Sequence, residues 1–197
     1  MNAGLPIGPC EAASERESYE ALAVAATHDQ YAFAVLYHRY TPRIHRYVLA
    51  RIHNSSDIED IVSDIWIRAY SRMHLFRPDK GSFAAWLFTL ARHVLYNAVR
   101  QRARAEVTVI VDFVEQGVDP QAQFLNQETD AEMRLALSRL TVDQQEALAL
   151  RYAADLSFAE VGRALGKSEA AAKMLVRRGI ERLRTELAKE IDDESRP

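Results

Sequence analysis

Along residues 57–104 of this 197-residue chain, the charged side chains are mainly acidic at the beginning and basic at the end. Carboxylates cluster at the beginning of the stretch (Asp57, Glu59, Asp60, Asp64) and arginines close it (Arg100, Arg102, Arg104). Acidic residues at the start of a helix interact favourably with its dipole, which explains all of these carboxylates well except Asp64. The basic end forms a patch that could face nucleic acid.

Histidines are the other residues that could carry chemistry, and they occur among carboxylates (His38, His45, His53, His74, His93). None has the close spacing of a zinc ligand pair such as HExxH. The chain also contains neither a glycine-rich phosphate loop nor a nucleophile elbow. We therefore predict no catalytic residue, no metal, no cofactor and no enzymatic activity. A metal-dependent hydrolase remains an alternative, which stoichiometric metal in the purified protein would favour.

Two amphipathic helices separated by a turn must position these charges. Residues 57–73 carry apolar side chains at helical spacing, and Ser56 with Glu59 forms a capping box at their beginning. The sequence FRPDKG, residues 76–81, contains the turn formers Pro78, Asp79 and Gly81. Ser82 then caps a second helix, whose apolar face includes Phe83 and Trp86. We assign Trp66, Trp86 and Phe83 to the core.

This stretch resembles region 2 of the sigma-70 family, in its extracytoplasmic-function (ECF) branch. The resemblance is carried by DIEDIVSDIWIRAY, FRPDKGSF and FAAWLFTLAR followed by basic residues. The preceding LYHRYTPRIHRY resembles region 2.1 and extends the match to about Glu17. In this segment, Thr27 with Gln30 predicts a helix start, and Pro42 should kink or split the helix near Tyr40.

The C-terminal part has a different pattern of helices. Helix starts are predicted at Thr141, Ser157 and Ser168, and Gly166 separates a short helix from a longer basic one, as in a helix-turn-helix. The sequence LSFAEVGRALGKSEAAAKMLVRRGIERLR resembles region 4 of the sigma-70 family. Because it follows a region 2 match by some fifty residues, the two resemblances support each other.

Composition limits the class of protein further. The formal net charge of −3 alone would argue against a nucleic-acid binder, but the basic residues are concentrated between Arg163 and Arg184. Cys10 is the single cysteine, so no internal disulfide can form, which is compatible with a location in the reducing cytoplasm. No apolar span is long enough for a membrane helix, and the first residues do not resemble a secretory signal.

We predict an all-α protein made of two small helical domains joined by an extended linker. The expected boundaries are a flexible tail at 1–16, sigma region 2 at 17–104, the linker at 105–130, region 4 at 131–190 and a second tail at 191–197. The linker contains a β-branched run, Val107 to Val111, that would have no partner strand in an all-α chain.

The resemblance implies DNA contacts in both domains. The loop after residue 75 would form a pocket for a flipped base of the −10 element, and the next helix would line the non-template strand. The implied region 2 residues are Phe76, Arg77, Asp79, Lys80, Arg92, His93, Asn97 and Arg100. The last helix would read the −35 element through Lys173, Met174, Arg177 and Arg178, which lie largely opposite its apolar stripe.

The resemblance also implies protein partners. The surface formed by Asp57, Asp60, Ile61, Asp64 and Ile65 would dock on the clamp helices of the largest subunit of core RNA polymerase, with the flap of the second-largest subunit as a further contact. An anti-sigma factor is a common partner in this branch. A stand-alone helix-turn-helix regulator is the alternative function. It would bind duplex DNA alone and would not need the acidic-to-basic design of residues 57–104.

Overall fold

The structure is a computed structural model that describes residues 19–52, 57–105, 133 and 135–194. Within these ranges the regular elements are helices and no strand occurs, which confirms the all-α prediction. The predicted linker lies outside the described residues except for Ala105, which is the last residue of a helix. No helix in the described part of the chain is long and apolar enough to cross a membrane.

In the described residues, the N-terminal bundle contains four helices, which are α1 (residues 19–25), α2 (Gln30–Leu49), α3 (Ile58–Arg72) and α4 (Phe83–Ala105). Two 3-10 turns, Met73–Leu75 and Pro78–Lys80, join α3 to α4. Apolar side chains spaced three or four residues apart on each helix face inward, and burying them is the main force that holds the bundle together. The largest fully buried ones are Tyr47, Phe83, Phe88, Leu36, Ile44, Ile65 and Leu87.

The start of α2 differs from the sequence prediction, and of the two outcomes expected at Pro42, a kink or a split, the split does not occur. Asp29, not Thr27, caps the helix, because its carboxylate accepts a hydrogen bond from the backbone N–H of Tyr31 at 2.8 Å. The Thr27 hydroxyl instead donates to the carbonyl of Val24. The helix is not split at Pro42, which lies within its twenty residues. The predicted cap Ser56 lies outside the described residues, and α3 begins directly after Asp57.

The C-terminal unit contains the short helical segment α5 (residues 135–138), α6 (Val142–Leu148), α7 (Phe158–Leu165) and α8 (Glu169–Glu194). A π-helical turn, Ala149–Ala153, extends α6. The capping boxes predicted at Thr141 and Ser157 are both present. Ser82 and Ser168 also cap as predicted, because their hydroxyls accept hydrogen bonds from the N–H groups of Ala85 and Ala171.

The two units pack against each other, with α7 lying on α4 and the π-helical turn lying on α2. Arg43 of α2 holds the segment that follows this turn, and its guanidinium donates to the carbonyls of Ala154 and Asp155 at 2.8 Å. The same guanidinium lies over the Tyr40 ring, 4.9 Å from the ring centroid. Asp155 is the one non-glycine residue in the described ranges with a positive φ, +53°. Arg43 thus stabilises a left-handed turn that an L-residue adopts at some cost.

Candidate polymerase and promoter interfaces

An acidic surface lies on the outer side of α3, close to its N-terminus. Asp60 and Asp64 are exposed and lie one helical turn apart, and Asp57 is half-buried. Asp64 forms an ion pair with Arg68 at 3.3 Å, and the neighbouring Glu59 contacts His45 at 3.1 Å. Exposed pairs of this kind contribute little to stability, so the carboxylates remain available to a basic partner.

Ile61 and Ile65 are not part of this acidic surface. Their exposed fractions are 7% and 0%, because both side chains point into the core of the bundle. The resemblance placed both isoleucines on the docking surface, whereas their helical spacing fits a core stripe equally well. Of the five predicted docking residues, Asp60 and Asp64 are exposed in this structure, and the isoleucines support the helix that carries them.

The segment between α3 and α4, residues 76–82, is named the promoter loop here. Two carbonyl groups, those of His74 and Phe76, each accept a hydrogen bond of 3.0 Å from the Arg77 guanidinium. Asp79 and Lys80 are exposed, and Gly81 has a φ of +146° that side-chain-bearing residues rarely adopt. Arg77 therefore stabilises the turn that presents Asp79 and Lys80.

Phe76 is buried, with 2% of its surface exposed, and this corrects the prediction that it contacts a base. Its ring packs edge-on against Phe83 and Trp86, with centroids 5.8 Å apart in both pairs. Three aromatic side chains thus attach the promoter loop to the core. Phe83 and Trp66 lie in the core as expected.

A cavity of about 210 Å³ lies between the promoter loop and α4. Its lining includes Arg77 and Lys80, which were predicted to contact DNA, together with residues that the sequence analysis did not assign to a DNA site, namely Leu75, Gly81, Ser82, Ala85, Trp86, Thr89 and Arg163. The half-buried Trp86 contacts both the core and the cavity. Thr89 lies one turn before His93, so helical spacing could have indicated it.

Along α4, the exposed residues His93, Asn97 and Arg100 follow one another at i, i+4 and i+7 on one face. Arg92, which was predicted beside them, is half-buried. Its Nε is buried and has no hydrogen-bond partner among the described residues. Arg92 thus differs from the exposed residues, because its guanidinium lies close enough to the buried Tyr47 to influence it electrostatically.

The helix-turn-helix is formed by α7 and α8. After α7 the chain enters the left-handed region at Gly166, where φ is +66°, and the N–H of Lys167 reaches back to the carbonyl of Gly162 at 2.7 Å. This hydrogen bond is typical of a Schellman motif. A Cβ at Gly162 would lie 2.8 Å from the carbonyl oxygen of Lys167, so the tight turn requires glycine there.

The second helix of this motif, α8, separates an inner and an outer face as predicted. Ala172 and Val176 are buried, and Leu175, Ile180 and Leu183 pack partly against the core. The four predicted −35 residues are exposed: Lys173, Met174, Arg177 and Arg178. Glu181 accepts a hydrogen bond from the Nε of Arg177 at 2.8 Å, and this bond raises the pKa of the Arg177 guanidinium. Glu181 therefore orients Arg177 along the helix.

Buried polar groups connect the C-terminal unit to the bundle. The Tyr47 hydroxyl donates a hydrogen bond to Glu146, whose other oxygen lies 3.2 Å from the Nε of Arg51. Burial, reinforced by the nearby Glu146 carboxylate, raises the pKa of Tyr47 well above its usual value. Tyr47 therefore keeps its proton and remains a donor to Glu146.

A metal site has no geometric support in the described ranges, where no group of three or more His, Cys, Asp or Glu side chains could hold an ion.

An all-α fold with an amphipathic acidic helix, a basic loop and a helix-turn-helix is the arrangement of a DNA-binding transcription protein.

Family models identify which class of transcription protein this is. Residues 36–105 match the model of sigma-70 region 2, and residues 136–185 match that of sigma-70 region 4. The ECF RNA polymerase sigma factor SigM of Mycobacterium tuberculosis is 31% identical over 183 residues, covering 90% of this chain and 91% of the relative. The chain belongs to the ECF branch of the sigma-70 family and functions in promoter-specific transcription initiation.

Other relatives agree with this assignment. The ECF RNA polymerase sigma factor BldN of Streptomyces coelicolor is 34% identical over 155 residues, which cover 77% of this chain but 59% of the relative. Among solved structures, CnrH in complex with the cytosolic domain of CnrY has a TM-score of 0.64 at 23% identity, covering 90% of this chain and 99% of that one. RpoE in complex with the anti-sigma factor NepR from Bartonella quintana has a TM-score of 0.61 at 24% identity, with 79% and 96% covered. At these identities the two structures support the fold.

Proposed function

We propose that the chain binds core RNA polymerase through Asp57, Asp60 and Asp64 and directs it to promoters that have particular −10 and −35 elements. The single observation that supports this assignment best is the separation of the surfaces. The carboxylates of Asp60 and Asp64 are exposed on α3, whereas the basic residues proposed to bind DNA lie on the promoter loop, the outer face of α4 and the outer face of α8. One chain can therefore contact a protein partner and two segments of DNA.

The promoter loop and α4 are proposed to hold the opened −10 element. The 210 Å³ cavity has cationic side chains and Trp86 in its lining, which suits an unstacked base. His93, Asn97 and Arg100 continue from this cavity along α4 and would follow the non-template strand.

The outer face of α8 is proposed to read the −35 element. Lys173 and Arg177 lie one helical turn apart in the N-terminal half of the helix, which enters the major groove deepest in this motif. We assign both to base edges, Arg178 to a phosphate and Met174 to a thymine methyl group.

Partners follow from the family. Both solved relatives described above are complexes, one of them with an anti-sigma factor, and we propose that this chain also has an anti-sigma partner. The clamp helices of the largest polymerase subunit and the flap of the second-largest are its proposed contacts on the enzyme. The chain would work in the cytoplasm, where polymerase and chromosome are found, and it would catalyse no reaction itself.

Run-off transcription on fragmented genomic DNA tests this proposal. Core polymerase alone and core polymerase with the purified chain are compared, and we expect discrete new transcripts only with the chain. The upstream sequences of these transcripts would identify the promoter. A chain that binds duplex DNA without polymerase and adds no transcript would instead be a stand-alone helix-turn-helix regulator.

A further inference from the structure

Arg177 differs from the other cations proposed to bind DNA on α8, because a carboxylate follows it by one helical turn. Four positions after Arg177 the chain has Glu181, whereas the residues four positions after Lys173 and Arg178 are arginines. The Glu181 carboxylate accepts a hydrogen bond of 2.8 Å from the Nε of Arg177. Both side chains are largely exposed, at 71% and 55%. The hydrogen bond, and not packing, therefore fixes the direction of the Arg177 guanidinium.

Stability of the helix does not explain this contact. The pair is exposed, and its cation precedes its carboxylate, which is the less favourable order with respect to the helix dipole. A carboxylate beside DNA-binding residues also lowers the affinity for any DNA, because the phosphates repel it. Residues 170–180 contain no carboxylate, so Glu181 is an exception on this part of the helix. Its benefit is therefore expected in the selectivity of binding.

The atoms that Glu181 engages determine which contacts of Arg177 remain. A guanidinium has five N–H groups, and the bond to Glu181 uses the one on Nε. The four N–H groups on Nη1 and Nη2 make no hydrogen bond with a residue that the structure describes. These two terminal nitrogens can bind the O6 and N7 atoms of guanine together, which is the commonest specific contact in the major groove. A side-on contact would need Nε, which is already occupied.

We propose that Glu181 is a positioning residue for promoter recognition, which holds Arg177 end-on toward a guanine of the −35 element and keeps it from turning to a phosphate. This inference rests on the proposed function, because the direction of Arg177 matters only if α8 reads the −35 element. It adds to that function the identity of one base and the side chain that selects it.

A promoter library with a randomised −35 segment tests the proposal. The library is built on the promoter obtained by run-off transcription, and sequencing of the DNA bound by holoenzyme gives the preference at each base pair. The natural chain should prefer guanine at one base pair by roughly tenfold, and Arg177→Ala should remove that preference. Glu181→Ala should lower it to about twofold although Arg177 is still present, because the released guanidinium also reaches a phosphate.

Glu181→Gln separates positioning from charge. The amide oxygen of glutamine still accepts a hydrogen bond from the Nε of Arg177, so most of the preference for guanine should return. Both variants remove the same negative charge, and a gain in affinity that they share reports that charge alone. The additional phosphate contact should make the logarithm of the binding constant of Glu181→Ala fall more steeply with the logarithm of the salt concentration, by about one unit of slope relative to Glu181→Gln.

Two controls identify Arg177 as the group through which Glu181 acts. In an Arg177→Ala background, Glu181→Ala should leave the base preferences unchanged, since no guanidinium remains to be positioned. Glu169→Ala removes another exposed carboxylate from the first turn of α8 and should keep the preference for guanine. The melting temperatures of both Glu181 variants should stay close to that of the natural chain, because the side chain is exposed.

Three results would overturn the positioning role and leave the proposed function intact. They are an unchanged preference for guanine in Glu181→Ala, an equal loss of that preference in Glu181→Ala and Glu181→Gln, and a base other than guanine at the base pair that Arg177→Ala relaxes. A natural holoenzyme that shows no preference anywhere in the −35 segment would overturn the proposed reading of this element, and the positioning role with it.

Discussion

The carboxylate of Glu20 accepts a hydrogen bond from the backbone N–H of Phe83, and its two oxygens lie 3.0 and 2.9 Å from that nitrogen. This contact joins α1 to the beginning of α4, directly after the promoter loop. Burial raises the pKa of Glu20 above its ordinary value of 4.5, and the Phe83 N–H partly opposes this shift. Glu160 raises the pKa further, whereas Arg163 lowers it.

A raised carboxyl pKa means that the folded protein holds this proton more tightly than the unfolded chain does. The stabilising contribution of Glu20 is therefore complete below pH 4.5 and is lost as the pH rises through the higher folded value. Glu20→Gln keeps an acceptor for Phe83 and removes the charge. We expect the free energy of unfolding of Glu20→Gln, relative to the natural chain, to increase with pH above 4.5, measured by urea denaturation from pH 4 to 7. The exposed Glu59→Gln serves as the control, and parallel profiles for Glu20→Gln and the natural chain would contradict the assignment.

Charge reversal on α3 tests polymerase docking. Replacing Asp60 and Asp64 with Lys should abolish the pull-down of core polymerase, because both carboxylates face the solvent on one side of the helix. Neither side chain is part of the core, so the circular dichroism spectrum and the melting temperature should change little. Glu59→Lys reverses one charge on a neighbouring face about 100° around the helix and should bind normally. Normal binding by the double variant would exclude this surface as the dock.

The promoter loop can be separated from polymerase binding. Replacement of residues 77–80 by Gly and Ser should leave pull-down intact and block open-complex formation, because it removes Lys80 and the Arg77 contacts that shape the turn. Permanganate reactivity of thymines near the transcription start reports strand opening. A second variant, which keeps Arg77 and replaces the other three residues, tests whether the turn shaped by Arg77 supports strand opening without Lys80. Normal thymine reactivity in the fully replaced complex would remove the loop from strand opening.

Two kinds of contact should be distinguishable on α8. Lys173→Ala and Arg177→Ala should each cost about 1–3 kcal/mol of promoter binding and relax the preference at one base pair. Arg178→Ala should weaken binding to all promoters alike. It should also reduce the slope of the logarithm of the binding constant against the logarithm of the salt concentration by about one unit. Holoenzyme binding to −35 variants at two salt concentrations measures both effects. Base preferences that survive in Lys173→Ala and Arg177→Ala would assign sequence reading to Met174 or to DNA shape.

Two glycines of the helix-turn-helix should respond differently to alanine. A Cβ at Gly162 would lie 2.8 Å from the Lys167 carbonyl oxygen, which belongs to the backbone and cannot easily move. We expect Gly162→Ala to destabilise the protein by about 1–3 kcal/mol despite the better helix propensity of alanine. At Gly179 the nearest atom is the Cδ1 of Leu148 at 3.0 Å, at the end of a flexible side chain. Gly179→Ala should therefore cost less, and equal midpoints in thermal unfolding would refute this distinction.

Local signals were sufficient to predict most of the fold. The helix starts at Ser82, Thr141, Ser157 and Ser168 depend on one side chain that binds a backbone N–H three residues later, and that spacing is visible in the sequence. Thr27 was the wrong choice because Asp29, two residues later, offered a competing oxygen. Pro42 was expected to kink or split α2; the helix continues through it without a break, because packing of the surrounding apolar stripe outweighs the missing hydrogen bond.

The proposed sites were harder to predict, since a helical stripe does not state which of its residues reach the solvent. Ile61, Ile65 and Phe76 are apolar residues next to charged ones, and the resemblance placed all three on binding surfaces. In the structure they lie in the core and hold those surfaces in place. Contacts such as Tyr47 with Glu146 join residues 99 positions apart, and nothing in the local sequence pairs them.

The buried position of Glu146 gives the two interactions of the N-terminal bundle different responses to ionic strength. Dissolved ions screen exposed charges strongly but affect a buried pair such as Glu146 and Arg51 much less. DNA binding, in contrast, releases counterions and weakens steeply as salt is added. Rising salt therefore weakens the binding of DNA but leaves the contact between the two units almost unchanged. An increase in the salt concentration around the protein would thus lower its occupancy of promoters without loosening the packing of its two units.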